Sequence, residues 1–148
     1  MSDVLLVSTN DGGDIICENG IIEMTAGFET AVFISLHAGN LKDDGTQATK
    51  KYTWWGNLLE DNNPDGKIIS RFQNILSGLP ATPENLIKAK QAAMQDLEWL
   101  TSTGISDKIE ISATIPAQNR IAVEINILKD GAKLYGTTFE LNWKGMTA

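Results

Sequence analysis

One cysteine, one histidine and four prolines among 148 residues leave few means for several kinds of chemistry. Cys17 has no partner for an intrachain disulfide, and Cys17 with His37 cannot complete a four-ligand structural zinc site within one chain. The simplest compartment is therefore a reducing one. Basic residues are scarce as well: 12 Lys and Arg stand against 19 Asp and Glu, for a net charge of -7 and a pI near 4.6. Binding to nucleic acid in general, or to anionic membranes, rests on surplus positive charge, so both are expected to be absent. No apolar run approaches the ~20 residues that cross a bilayer. The opening Met1-Ser2-Asp3-Val4 lacks a basic start, so neither a cleaved signal nor membrane insertion is expected. Internal repeats, low-complexity tracts and long linkers are missing too, and with 42% hydrophobic residues the chain reads as one globular domain over 1–148.

What is present divides by period. Val4 to Val7 reads as a short strand and Asp11-Gly12-Gly13-Asp14 as turn chemistry. Asn19-Gly20, between Ile15-Ile16-Cys17-Glu18 and Ile21-Ile22-Glu23-Met24, predicts a type I′ hairpin, because both central positions need positive φ. From Gly27 to about His37, apolar residues cover most of a helical circumference, which suits a helix buried on several sides. Thr82-Pro83-Glu84 starts a second helix and Gly104 ends it. Leu86, Ala89, Ala93, Leu97 and Leu100 share its core face, Ile87 and Met94 widen that face, and Trp99 offers a second contact. A short helical or extended piece is expected within Ile68 to Leu76. The period then changes to two: Ile109, Ile111, Ala113 and Ile115, then Ile121, Val123, Ile125 and Ile127, then Tyr135, Thr137, Phe139, Leu141 and Trp143. Asp130-Gly131 turns the last pair. The expected fold class is α+β: an N-terminal β-hairpin, a buried helix, a long amphipathic helix and a C-terminal antiparallel three-stranded meander.

Motifs for catalysis do not assemble. Glu84 and Glu98 fall on a helix, where acids mainly serve solvation or the helix dipole, and nothing selects a carboxylate pair. Ser35 and His37 are two apart on a helix and diverge, so they do not form a nucleophile and base. Asp61-Asn62-Asn63-Pro64-Asp65-Gly66 matches the first half of a calcium loop, but the twelfth position, where a bidentate glutamate belongs, is Phe72. Gly12-Gly13 leads into an acid rather than a phosphate loop, and Cys17 is expected to pack as a small hydrophobe within the hairpin. No cofactor, no metal and no enzymatic activity are expected.

Half of the tryptophans lie in Tyr52-Thr53-Trp54-Trp55-Gly56. Adjacent indoles in an extended segment point to opposite sides, so either both complete a small core or one meets a partner. Four features in this order, Asp11-Gly12-Gly13-Asp14, Glu29 to Leu36, Trp54-Trp55-Gly56 and Gln95-Asp96-Leu97-Glu98-Trp99-Leu100, resemble the Mu-type bacteriophage baseplate protein family, over roughly residues 3 to 128. That family is related in role to the small wedge protein of T4-type contractile tails. Gly66-Lys67-Ile68-Ile69-Ser70-Arg71-Phe72 departs from the Gly-Ser-x-Leu-Trp stretch that many members carry there.

The resemblance implies a structural subunit of a contractile tail baseplate that binds larger wedge proteins and links the baseplate to the tube or first sheath ring. It would be present in several symmetric copies, in the virion, after assembly in the host cytoplasm. Candidate interface residues are Trp54, Trp55, Gly56, Asp43, Asp44 and Asp61, with Tyr135, Phe139 and Trp143 on a terminal strand whose edge either accepts another chain's strand or is covered by the N-terminal hairpin. The alternatives are a tail-associated cell-wall hydrolase and a small regulatory binding module.

Overall fold

A computed structural model describes residues 3–9, 12–25, 27–39 and 67–143. Its centre is the meander. Strands β7 (Lys108–Thr114), β8 (Arg120–Lys129) and β9 (Ala132–Asn142) are antiparallel in the order β7-β8-β9. The register aligns the apolar rows seen in the sequence: Ile111 opposes Ile125, Ile109 opposes Ile127, and on the other side Val123 opposes Phe139 and Ile121 opposes Leu141. Because side chains alternate across a strand, one face becomes continuously apolar. Asp130 and Gly131 both take positive φ in the β8–β9 turn, as that dipeptide predicts.

Among the described residues three helices cover that face. Helix α1 spans Phe28–His37, α2 Arg71–Gly78 and α3 Pro83–Ser102. At the start of α3, the Thr82 hydroxyl accepts the Asn85 N–H at 3.2 Å and Pro83 takes the first position. Gly104, at φ 78°, follows its C-terminal end. Ala89, Ala93, Leu97 and Leu100 are buried as expected. Ile87 and Met94 are exposed instead, so the buried face widens to the other side, through Ala92 and Asp96. The physical reason is angular: Ile87 lies about 200° from Ala89 on a 3.6-residue helix. Every residue of α1 is buried or half-buried, in keeping with a helix packed on several sides. His37 ends it, its Nδ1 2.8 Å from Oε1 of Gln73 on α2 and its ring against Phe33, Phe72 and Phe139.

The N-terminal segment is a thin ribbon of short antiparallel pairs. β1 (Asp3–Val4) pairs with β6 (Met24–Thr25), β2 (Leu6–Thr9) with β3 (Gly12–Ile15), and β4 (Cys17–Glu18) with β5 (Ile21–Ile22). Asn19 and Gly20 have φ 53° and 77°, the type I′ signature that their sequence predicts. Two expectations need correction here. Gly12 and Gly13 lie in β3, paired with Thr9 and Ser8, and not in a turn. Cys17 is exposed, because among the described residues the two-stranded tip has no second layer to bury it. Thr30 on α1 ties the ribbon to the body by donating its hydroxyl to the Val4 carbonyl.

Candidate protein-interaction surfaces and the polar seam behind them

The expected interface residues fall in three places. Asp43, Asp44, Trp54, Trp55, Gly56 and Asp61 lie outside the described residues. Tyr135 and Phe139 are half-buried on the inner face of β9: the Tyr135 ring stacks on Phe28 with centroids 5.9 Å apart, and Phe139 meets His37 edge-on. Burial pushes the Tyr135 phenol above its ordinary pKa. Trp143 is 1% exposed, and its indole N–H donates to the Leu79 carbonyl at 2.6 Å, which makes it a core residue joining the sheet to the end of α2. What β9 turns outward is the other row, including Gly136, Thr138, Glu140 and Asn142, together with its backbone edge. Among the described residues β9 pairs only with β8. Leu5, beside β2, and Leu6, on it, line a cleft of about 320 Å³ with α1, Tyr135 and Phe139, so the ribbon approaches β9 without forming a ladder with it among the described residues.

Between the helices runs a polar seam that hydrophobic periodicity does not reveal. Asp96 projects from α3 with its side chain fully buried. One of its oxygens accepts the Arg71 N–H at 3.0 Å and the other the Phe72 N–H at 2.8 Å, so a carboxylate from one helix caps the start of another. The Arg71 guanidinium adds an ion pair at 3.5 Å. Next to it Ser70 is 0% exposed, accepting the Gly39 N–H at 2.8 Å and donating to the Ser35 carbonyl at 2.9 Å. The Ser35 hydroxyl accepts the Trp99 indole N–H at 3.0 Å, which is the second contact expected of Trp99. Three helix junctions are thus fixed by satisfied polar groups. The sequence carries one clue to Asp96: an acid aligned with Ala89, Ala93 and Leu100 on an otherwise apolar ridge.

Burial raises the Asp96 pKa to about 7, against the opposing pull of the two N–H groups and Arg71. The unfolded carboxyl loses its proton near 3.8, so between those values the folded state binds more protons. Stability from this group is fully present below pH 3.8 and is lost as pH rises through about 7. We expect thermal stability to fall between pH 5 and pH 7.5 in a titration of Tm, and Asp96→Asn to flatten that slope. At pH 5, where Asp96 is protonated, the substitution should also cost about 1–2 kcal/mol, since the amide nitrogen, unlike the hydroxyl oxygen of the acid, cannot accept the second N–H group.

Among the described residues the catalytic pairings considered from sequence are not brought together. Glu84 and Glu98 are exposed on α3 and fourteen residues apart, about 21 Å along the helix at 1.5 Å per residue, far beyond a glycosidase pair. The Ser35 hydroxyl donates to the Ala31 carbonyl and His37 engages Gln73, so the two do not form a couple. Among the described residues no three His, Cys, Asp or Glu side chains converge as metal ligands, and no helix is long and apolar enough to cross a membrane.

Comparison with known proteins gives this architecture a lineage. Residues 28–133 match the family model described as "Phage protein GP46". The chain is 27% identical to the Mu-like prophage FluMu protein gp46 of Haemophilus influenzae, covering 97% of this chain and 98% of that protein. It is 33% identical over 118 residues to baseplate protein gp46 of Escherichia phage Mu, covering 76% and 77% of the two chains. No solved structure matches significantly. The matched span runs from the first residue of α1 into β9 and takes in the seam, all three helix junctions and most of the sheet, and this chain belongs to the phage protein GP46 family.

Proposed function

We propose that this protein is a non-enzymatic structural subunit of the baseplate of a contractile phage tail or a related particle. The observation that carries the reading is the 33% identity, over about three quarters of both chains, to a protein named as a baseplate component of phage Mu. In this reading the chain sits in the virion after assembly in the host cytoplasm. It binds larger wedge proteins, links the baseplate to the tube or first sheath ring, and is present in several symmetric copies. The physical design supports it: the helix junctions are locked by buried polar groups, while strand edges and apolar side chains remain outside for other chains to cover.

Trp54 and Trp55 are the proposed anchors, because buried tryptophans dominate interface energetics, and Asp43, Asp44, Asp61 and the outer edge of β9 are further proposed contacts. Co-expression with the larger wedge protein encoded beside this chain, followed by size-exclusion chromatography with light scattering, tests the reading. A stable complex of defined stoichiometry is expected, weakened by about 2 kcal/mol in the Trp54→Ala/Trp55→Ala variant. Two folded proteins that stay separate at micromolar concentration would reject the wedge assignment, and a variant that binds as the parent does would reject the anchors.

A further inference from the structure

The ribbon at the N-terminus has an exposed apolar surface. Ile21 is 71% exposed and Met24 55%, and Ile15 and Ile22 are also open to solvent. In the register of the tip, Glu18 opposes Ile21 and Cys17 opposes Ile22, so apolar side chains emerge on both faces of a single layer. Solvent-exposed isoleucines grouped on one short ribbon mark a contact surface more than a scatter of surface apolars would.

Charge identifies what the surface fits. Before Lys42 the chain contains no Lys or Arg, but it contains Asp3, Asp11, Asp14, Glu18, Glu23 and Glu29, so nearly all of the net charge of -7 arises in this segment. Asp14, Glu18 and Glu23 are exposed among the apolar residues. A second copy of the ribbon would set acid against acid, and nucleic acid or an anionic membrane would be repelled. A protein surface with an apolar recess rimmed by Lys and Arg complements both properties.

We propose that residues 14–24 form a docking ribbon for such a basic, apolar surface on a neighbouring protein of the tail. The inference rests on the baseplate reading for where that neighbour is found. The ribbon's apolar side chains fill the recess and its carboxylates set orientation and association rate.

The test uses the full chain and the baseplate proteins encoded in the same tail gene cluster, co-expressed and then titrated as purified components. The Ile21→Ser/Ile22→Ser and Glu18→Lys/Glu23→Lys variants should each bind at least tenfold more weakly at unchanged Tm, and wild-type affinity should fall as salt rises. Ile87→Ser, a change at an exposed isoleucine on α3, should stay within twofold of wild type. If the serine pair lowers Tm, the charge-reversal pair, which keeps the apolar side chains, decides. Ribbon variants that bind within twofold of wild type would overturn the docking ribbon and leave the baseplate reading standing. A wild-type chain that binds none of these proteins would overturn both.

Discussion

Replacing Trp143 by alanine should lower stability by about 3–5 kcal/mol, the range for removing a large aromatic from a packed core. Trp143 heads the group of fully buried side chains, and it stands at the end of β9 with Leu79, just past α2, as its hydrogen-bond acceptor. Truncation removes the sheet-to-helix contact, opens a cavity beside the core and strands the Leu79 carbonyl. For a chain of this size, Tm in a calorimetric scan should fall by about 10 °C or more. Trp143→Phe should recover part of the loss by refilling volume, but not the part carried by the indole N–H. A Trp143→Ala protein that melts within a degree or two of the parent would mean that the core does not close on this residue.

A comparable loss is expected from a single methyl group at Gly39. A Cβ placed there would lie 2.4 Å from the Ile68 carbonyl oxygen and 2.7 Å from the Ser70 nitrogen, both backbone atoms that cannot swing aside. Gly39 also donates its N–H to the Ser70 hydroxyl, so pushing the end of α1 away from 68–70 breaks the seam at the same point. Gly39→Ala should cost about 2–3 kcal/mol, at the upper part of the overpacking range. Gly78 supplies the control: it ends α2 with nothing within 4 Å of a Cβ, and Gly78→Ala should be neutral or slightly stabilising through helix propensity. Denaturant melts of the two variants separate close approach from a general intolerance of glycine replacement.

The parts of this fold that sequence displays are those governed by period and turn chemistry. Alternation in β7, β8 and β9, the Thr82-Pro83 start of α3 and the paired positive φ at Asn19-Gly20 and Asp130-Gly131 depend on neighbours within a few residues, so they are legible without coordinates. Gly39 and Ser70 are not, because their roles come from contacts made across about thirty positions of chain. Asp96 is intermediate: an acid on an apolar ridge signals something, but only the fold brings the start of α2 to it. Trp143 shows a different limit. Alternation places it on the inner row of β9, but not whether a helix or a partner covers that row, and here the residues around Leu79 do. Gly12 and Gly13 show how turn-forming composition misleads: both glycines are paired within a strand, opposite Thr9 and Ser8.

The most direct measurement is a cryo-electron microscopy reconstruction of the tail particle assembled from the same genome, with this chain docked as a three-stranded sheet and a 20-residue helix. Density for it is expected in every symmetric position of the inner baseplate, with the acidic ribbon seated against a basic surface of a neighbouring protein. Complete baseplates with no density for this chain would contradict the baseplate reading.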